Sequence, residues 1–113
     1  MIGFGGPEVS YESETFLQEN PSVDLVQRGE GEISFTKLLE HWDSGVPASL
    51  EEIGSLTFRK NGEIISTMQE EPLDLALLPF PYKDDFSDIE NQIIYYESSR
   101  GCPYQCGYCL SSV

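Results

Sequence analysis

Apolar positions along the 113 residues follow two successive grammars. Up to Pro47, short apolar runs alternate with stretches of helical spacing. Residues 2 to 6 read as a short buried strand ending at Gly5-Gly6-Pro7-Glu8, where two glycines and a proline force a sharp turn with exposed backbone. Ser10 to Asn20 carries helix formers, with Ser10 or Ser13 as the cap, Phe16 and Leu17 facing inward, and Asn20-Pro21 as the stop. Val23 to Val26 is the next strand, and Arg28-Gly29-Glu30-Gly31-Glu32 follows as a glycine loop. Phe35, Leu38, Leu39 and Trp42 then recur at helical spacing until Gly45 and Pro47, with Trp42 expected in the core. A strand-helix-strand-helix order predicts parallel pairing with helices packed on the sheet.

From Ile53 the pattern changes. Leu56 to Lys60 and Glu63 to Thr67 flank Asn61-Gly62, a strong hairpin signal. The apolar side chains of this hairpin do not alternate cleanly, so it must pack on something. Glu70 to Asn91, broken by prolines and acidic pairs, reads as an extended linker that lays Leu73, Leu75, Leu78, Phe80 and Tyr82 against a surface. Ile93 to Glu97 is strand-like again and feeds a cysteine-rich loop. Three regions result: an α/β part over 1–48, hairpin and linker over 49–91, and the cysteine segment over 92–113.

Twenty acids against six bases give a net charge of -14, which argues against nucleic acid as a direct partner because phosphate contacts need clustered Lys and Arg. The acids are dispersed, as on a solvated face. The longest apolar stretch, Leu73 to Tyr82, is interrupted by Asp74, Pro79 and Pro81 and falls far short of the roughly 20 residues of a membrane helix. A soluble, cytoplasmic protein with no membrane partner is expected. The length suits one modest core and not a whole barrel of about 200 residues. An apolar opening run and an end four residues after Cys109 read as an internal fragment.

All the cysteines of the chain, Cys102, Cys106 and Cys109, lie in Arg100-Gly101-Cys102-Pro103-Tyr104-Gln105-Cys106-Gly107-Tyr108-Cys109. Random placement would give this C-x3-C-x2-C spacing about once in two thousand times. Thiolates are the usual protein ligands of iron-sulfur clusters, and three of them leave one iron of a 4Fe-4S cubane open to a small molecule. A zinc site would ask for a fourth ligand, and the lone His41 lies about sixty residues away. A disulfide framework would leave one thiol unpaired, and a ferredoxin would supply a fourth cysteine. Tyr95, Tyr96 and Tyr104 are expected to be packing residues and His41 to have no role. Glu30 and Glu32 are acids suited to a helix start.

The spacing, with an aromatic just before the third cysteine, resembles the signature of radical S-adenosylmethionine (radical SAM) enzymes. The resemblance implies that Cys102, Cys106 and Cys109 hold a 4Fe-4S cluster whose open iron chelates S-adenosylmethionine, and that Tyr108 lies near the adenine. Reductive cleavage to a 5'-deoxyadenosyl radical would follow, fed by a one-electron donor such as a flavodoxin or ferredoxin. The order of a Gly-Gly-Pro loop, a Gly-Glu-Gly-Glu loop, a linker and Ser-Ser-Arg-Gly-Cys resembles, across nearly the whole chain, the cobalamin-binding-domain members of that family. It implies a partial doubly wound, cobalamin-binding-like parallel sheet over 1–48, hairpin and linker over 49–91, and the start of the barrel over 92–113. Gly5 and Gly6 would then sit near the nucleotide tail of cobalamin, and Glu8 stands where the family often has a histidine.

On this reading the chemistry belongs to a longer parent enzyme, and the piece alone is inactive. Two rivals stay open. One is a non-enzymatic α/β binding module with a labile metal-binding cysteine tail; the other is a methylthiotransferase-type relative acting on transfer RNA, to which the acidity lends no support.

Overall fold

The computed structural model describes residues 1–44, 49–82, 89–104 and 106–109. It divides into two compact units, Met1–Leu73 and Asp74–Val113. In the first, β1 (Gly3–Phe4), α1 (Pro7–Ser10), α2 (Ser13–Glu19), β2 (Leu25–Gln27), α3 (Glu32–Ser44), β3 (Leu56–Lys60) and β4 (Glu63–Ser66) follow one another. The strands form one sheet in the order β1-β2-β3-β4. As the sequence order predicts, β1 and β2 are parallel, with Gly3 opposite Leu25, but β1 is exposed rather than buried because it is the edge strand of the sheet. Asn61 (φ +52°) and Gly62 (φ +87°) both take the left-handed backbone that a two-residue hairpin turn needs. The hairpin they join adds antiparallel to β2, Leu25 facing Phe58 and Val26 facing Thr57. The result is an α/β fold built on a mixed sheet.

Alternation along β2 assigns its two faces to two cores. Leu25 joins Leu38 of α3, Ile53, Leu56 and Phe58 in one cluster. Val26 joins Val9, Leu17 and Val23 in the other, where Phe16 and Ile64 pack alongside. Leu56, Thr57 and Phe58 are therefore buried in succession. This is why the hairpin lacks a clean alternation: β3 is an interior strand with both faces covered.

Three expectations are corrected. The single helix over residues 10–20 is two helices, broken at Tyr11 and Glu12, and neither serine caps α2, whose N-cap is Glu12. Ser10 instead donates from Oγ to the carbonyl of Gly6 at 2.7 Å, and buried Ser13 meets Thr57 hydroxyl to hydroxyl at 2.8 Å. Trp42 is 46% exposed, as are Phe35 and Leu39 to a similar degree, because α3 rests on the sheet through Leu38. Gly45 and Pro47, the expected helix stop, lie outside the described residues.

Within the first unit the chain after β4 runs back over the core, Glu70 N–H donating to Ser55 Oγ at 2.8 Å and Leu73 N–H to Glu30 Oε2 at 3.0 Å. In the second unit a 3-10 turn spans Leu75–Leu77, with Asp74 accepting from Ala76 N–H at 2.9 Å. Ile93 to Glu97, strand-like in sequence, forms no ladder among the described residues. Tyr95 is fixed by Tyr82 instead: its N–H donates to the Tyr82 hydroxyl at 3.1 Å, and that hydroxyl donates to its carbonyl. Tyr95, Tyr96 and Tyr104 are exposed rather than packed, although the Tyr96 ring lies 5.9 Å from that of Phe80. Within the described residues no helix is long and apolar enough to cross a membrane.

Candidate functional site

Because β1 and β2 run parallel, the loops after them leave the same edge of the sheet, the place where open α/β sheets bind ligands. Gly5 and Gly6 follow β1. Gly6 has φ +99° and ψ 172°, a conformation that belongs essentially to glycine, and a Cβ built there would meet nothing within 4 Å. Pro7 then starts α1, and Glu8 lies exposed in its first turn, where a carboxylate suits the helix dipole. The second loop follows β2, with Gly29 at φ +62°, and Glu32 opens α3.

Gln27, which sequence reasoning passed over, and Ser10, expected there only as a helix cap, tie these loops together. Gln27, the last residue of β2, donates from Nε2 to the carbonyls of Arg28 at 2.6 Å, Glu30 at 2.8 Å and Gly29 at 3.3 Å. Its Oε1 lies against both loops: a Cβ on Gly5 would stand 3.3 Å from it and one on Gly31 3.2 Å. Ser10 completes the link, donating to Gly6 and accepting from Gly29 N–H at 3.3 Å. The one signal in the sequence is an amide side chain ending an apolar strand just before a glycine loop. Arg28 anchors the loop from below, its N–H donating to the Ser55 carbonyl at 2.7 Å and its guanidinium to the carbonyls of Thr67 and, at 3.4 Å, Leu56.

The cysteine loop lies in the second unit. Gly101 turns the backbone at φ +74° just before Cys102. The Cys109 N–H donates to the Cys106 carbonyl at 3.0 Å, closing a tight turn over Gly107 and Tyr108. Tyr108 is 93% exposed. Cys102, Cys106 and Cys109 are not joined in disulfides, the first two being exposed and the third half-buried; Gln105 lies outside the described residues. Among the described residues no three His, Cys, Asp or Glu side chains are drawn together tightly enough to hold a metal. The donor set itself fits an iron-sulfur cluster: three unoxidised, accessible thiols within eight residues of a glycine-bearing loop.

No protein-family model matches the chain. Among curated proteins it is 34% identical over its whole length to an uncharacterized methyltransferase of Pyrococcus horikoshii, of which it spans 26%. Over 96% of its length it is 28% identical to the anaerobic magnesium-protoporphyrin IX monomethyl ester cyclase of Synechocystis sp., spanning 23% of that protein. It is also 30% identical over 96% of its length to the cobalamin-dependent radical SAM methyltransferase TokK of Streptomyces tokunonensis, spanning 17% of it. The chain is a relative of cobalamin-dependent radical SAM enzymes. It spans about a quarter or less of each radical SAM relative or other curated protein it matches. A solved radical SAM structure, the cobalamin-dependent enzyme OxsB with aqua-cobalamin and S-adenosylmethionine bound, shares the fold over 63% of this chain and 10% of its own, with TM-score 0.50 at 24% identity.

Proposed function

We propose that the protein works as a radical SAM methyltransferase, with Cys102, Cys106 and Cys109 holding a 4Fe-4S cluster and the Gly5-Gly6 and Gly29–Gly31 loops facing cobalamin. The observation that carries the reading is a C-x3-C-x2-C loop of three cysteines not joined in disulfides, in a chain whose whole length aligns with part of a methyltransferase. Methyl transfer is preferred to cyclisation or sulfur insertion because two of the three relatives are methyltransferases.

Bound there, the cluster supplies one-electron reduction of the sulfonium of S-adenosylmethionine, and cobalamin a carrier for the methyl group. The roles of the chain's own residues follow from their chemistry. The three cysteines bind as thiolates, each giving up a proton, and the exposure of Cys102 and Cys106 leaves that proton a path to water. Gly5, Gly6, Gly29 and Gly31 bring bare backbone to the sheet edge, as close approach of a flat ligand requires. Tyr108, held out by the turn that Cys106 and Cys109 close, offers an aromatic face for the adenine. A flavodoxin or ferredoxin supplies the electron.

The test is anaerobic reconstitution of the protein at the full length its gene encodes, with iron, sulfide and nucleoside products counted. About four irons and four sulfides per chain are expected, with 5'-deoxyadenosine formed on reduction in the presence of S-adenosylmethionine. Both should be lost in Cys106→Ala. Iron content untouched by that substitution would overturn the reading.

A further inference from the structure

The two glycine loops leave different strands, β1 and β2, and nothing in the parallel ladder itself fixes one against the other beyond Phe4. Two side chains span them, the exposed Ser10 hydroxyl and, closer to the sheet, the Gln27 carboxamide. Gln27 gathers three successive carbonyls, those of Arg28, Gly29 and Glu30, with its Nε2, so the backbone of the second loop curls around the amide. The opposite end of the same group, Oε1, lies beside Gly5, where a side chain would press on it: a Cβ there would stand 3.3 Å from the oxygen. Gly5 and Gly31 both lack the Cβ that would crowd this oxygen. An apolar residue of the same length could fill the space but could hold none of the three carbonyls.

We propose that Gln27 is a positioning residue for the ligand edge: it fixes the Gly5-Gly6 loop against the Gly29–Gly31 loop, so that both move as one rigid surface under a bound corrinoid. The cobalamin part of this inference rests on the function proposed above, while the coupling of the two loops does not. A ligand spanning both loops meets a preorganised edge and pays less ordering entropy than one that must lock two independent turns. Ser10 adds a second, exposed tie between Gly6 and Gly29, weaker because one of its bonds is long. The role acts through backbone placement, so its signature is a selective loss of order at both loops with the core left intact.

Amide hydrogen exchange and cobalamin titration on Gln27→Glu, Gln27→Leu and Ser10→Ala test it, with Ile65→Val as a control that loosens the core away from the loops. Gln27→Glu keeps the size but removes the donor. In both Gln27 variants, exchange at Gly5 and Gly6 and at Gly29 to Gly31 is expected to accelerate together by about tenfold or more, at the second loop through the lost carbonyl bonds and at the first because the amide packed beside Gly5 is no longer held in place, and Ser10→Ala by less. Ile65→Val should leave the pattern unchanged. Acceleration confined to residues 29–31 would overturn the coupling, since Gln27 would then order only its own loop. Cobalamin, followed by its visible absorption, should bind Gln27→Leu about tenfold more weakly than the parent protein. Equal affinity would overturn the positioning role. A parent protein that binds no cobalamin would remove the cobalamin reading alone, because the exchange result still decides whether the loops are coupled.

Discussion

Arg59 donates from Nε to the carbonyl of Val23 at 3.0 Å, across the sheet from its own strand. The same guanidinium reaches the carbonyls of Leu17 and, at 3.4 Å, Asn20. Those two carbonyls lie at the end of α2, where the helix dipole leaves a partial negative charge; each also accepts a backbone N–H, Leu17 from Asn20 at 3.2 Å and Asn20 from Val23 at 3.0 Å. One side chain of β3 thus caps the helix packed on its own face.

Replacing Arg59 should therefore cost more than removing a surface charge. Arg59→Met is expected to destabilise by about 2–3 kcal/mol, the scale of charge-assisted bonds whose acceptors stay behind. Arg59→Lys should recover only part of that, since an ammonium cannot serve three carbonyls in a planar fork. Urea denaturation measures both, with the slope checked for constancy.

Phe58 and Trp42 should separate core from surface aromatics. Phe58 is buried against Leu25 and Leu38, so Phe58→Ala is expected to cost about 3–5 kcal/mol. Trp42, half in solvent on α3, should tolerate Trp42→Gln within about 0.5 kcal/mol in the isolated chain. The comparison reads directly from two melting curves.

Glu51 is held well below the usual carboxylate range, to about 2, first by the hydrogen bond from Lys60 and then by that from Ser49. Glu70 is lowered in the same direction, chiefly by Lys37, whose Nζ stands 2.5 Å from its Oε1. A carboxyl depressed on folding contributes stability that is present above its unfolded value of 4.5 and is lost as pH falls from there through about 2. Stability should accordingly decline over that acid window. Because Glu51 is exposed, salt should blunt the effect. In an NMR carboxyl titration, Lys60→Met should return Glu51 toward 4.5.

Much of this was legible in the sequence because it was local. Asn61-Gly62 specifies its turn by backbone conformation alone, and Leu38 and Leu17 sit on faces their periodicity marks. Trp42 was misplaced because helical spacing gives a stripe's existence but not its width: Leu38, with buried Ser34 one turn before it, proved enough to seat α3. Ile93 to Glu97 has strand composition, yet a strand needs a partner, and composition cannot provide one. Arg59 and Gln27 were invisible for a different reason. Their acceptors are backbone carbonyls, which carry no residue identity, and for Arg59 they lie 36 to 42 positions away. The cysteine triplet was the reverse case, since its chemistry lies in spacing and needs no fold to be read.

The central claim is that Cys102, Cys106 and Cys109 together hold a cluster with one iron left open. Electron paramagnetic resonance of the anaerobically reconstituted, reduced protein tests it most directly, recorded with and without S-adenosylmethionine. The account expects a reduced 4Fe-4S signal that changes shape when S-adenosylmethionine is added and vanishes in Cys109→Ala. A signal indifferent to S-adenosylmethionine, or one that survives loss of all three thiols, would contradict it.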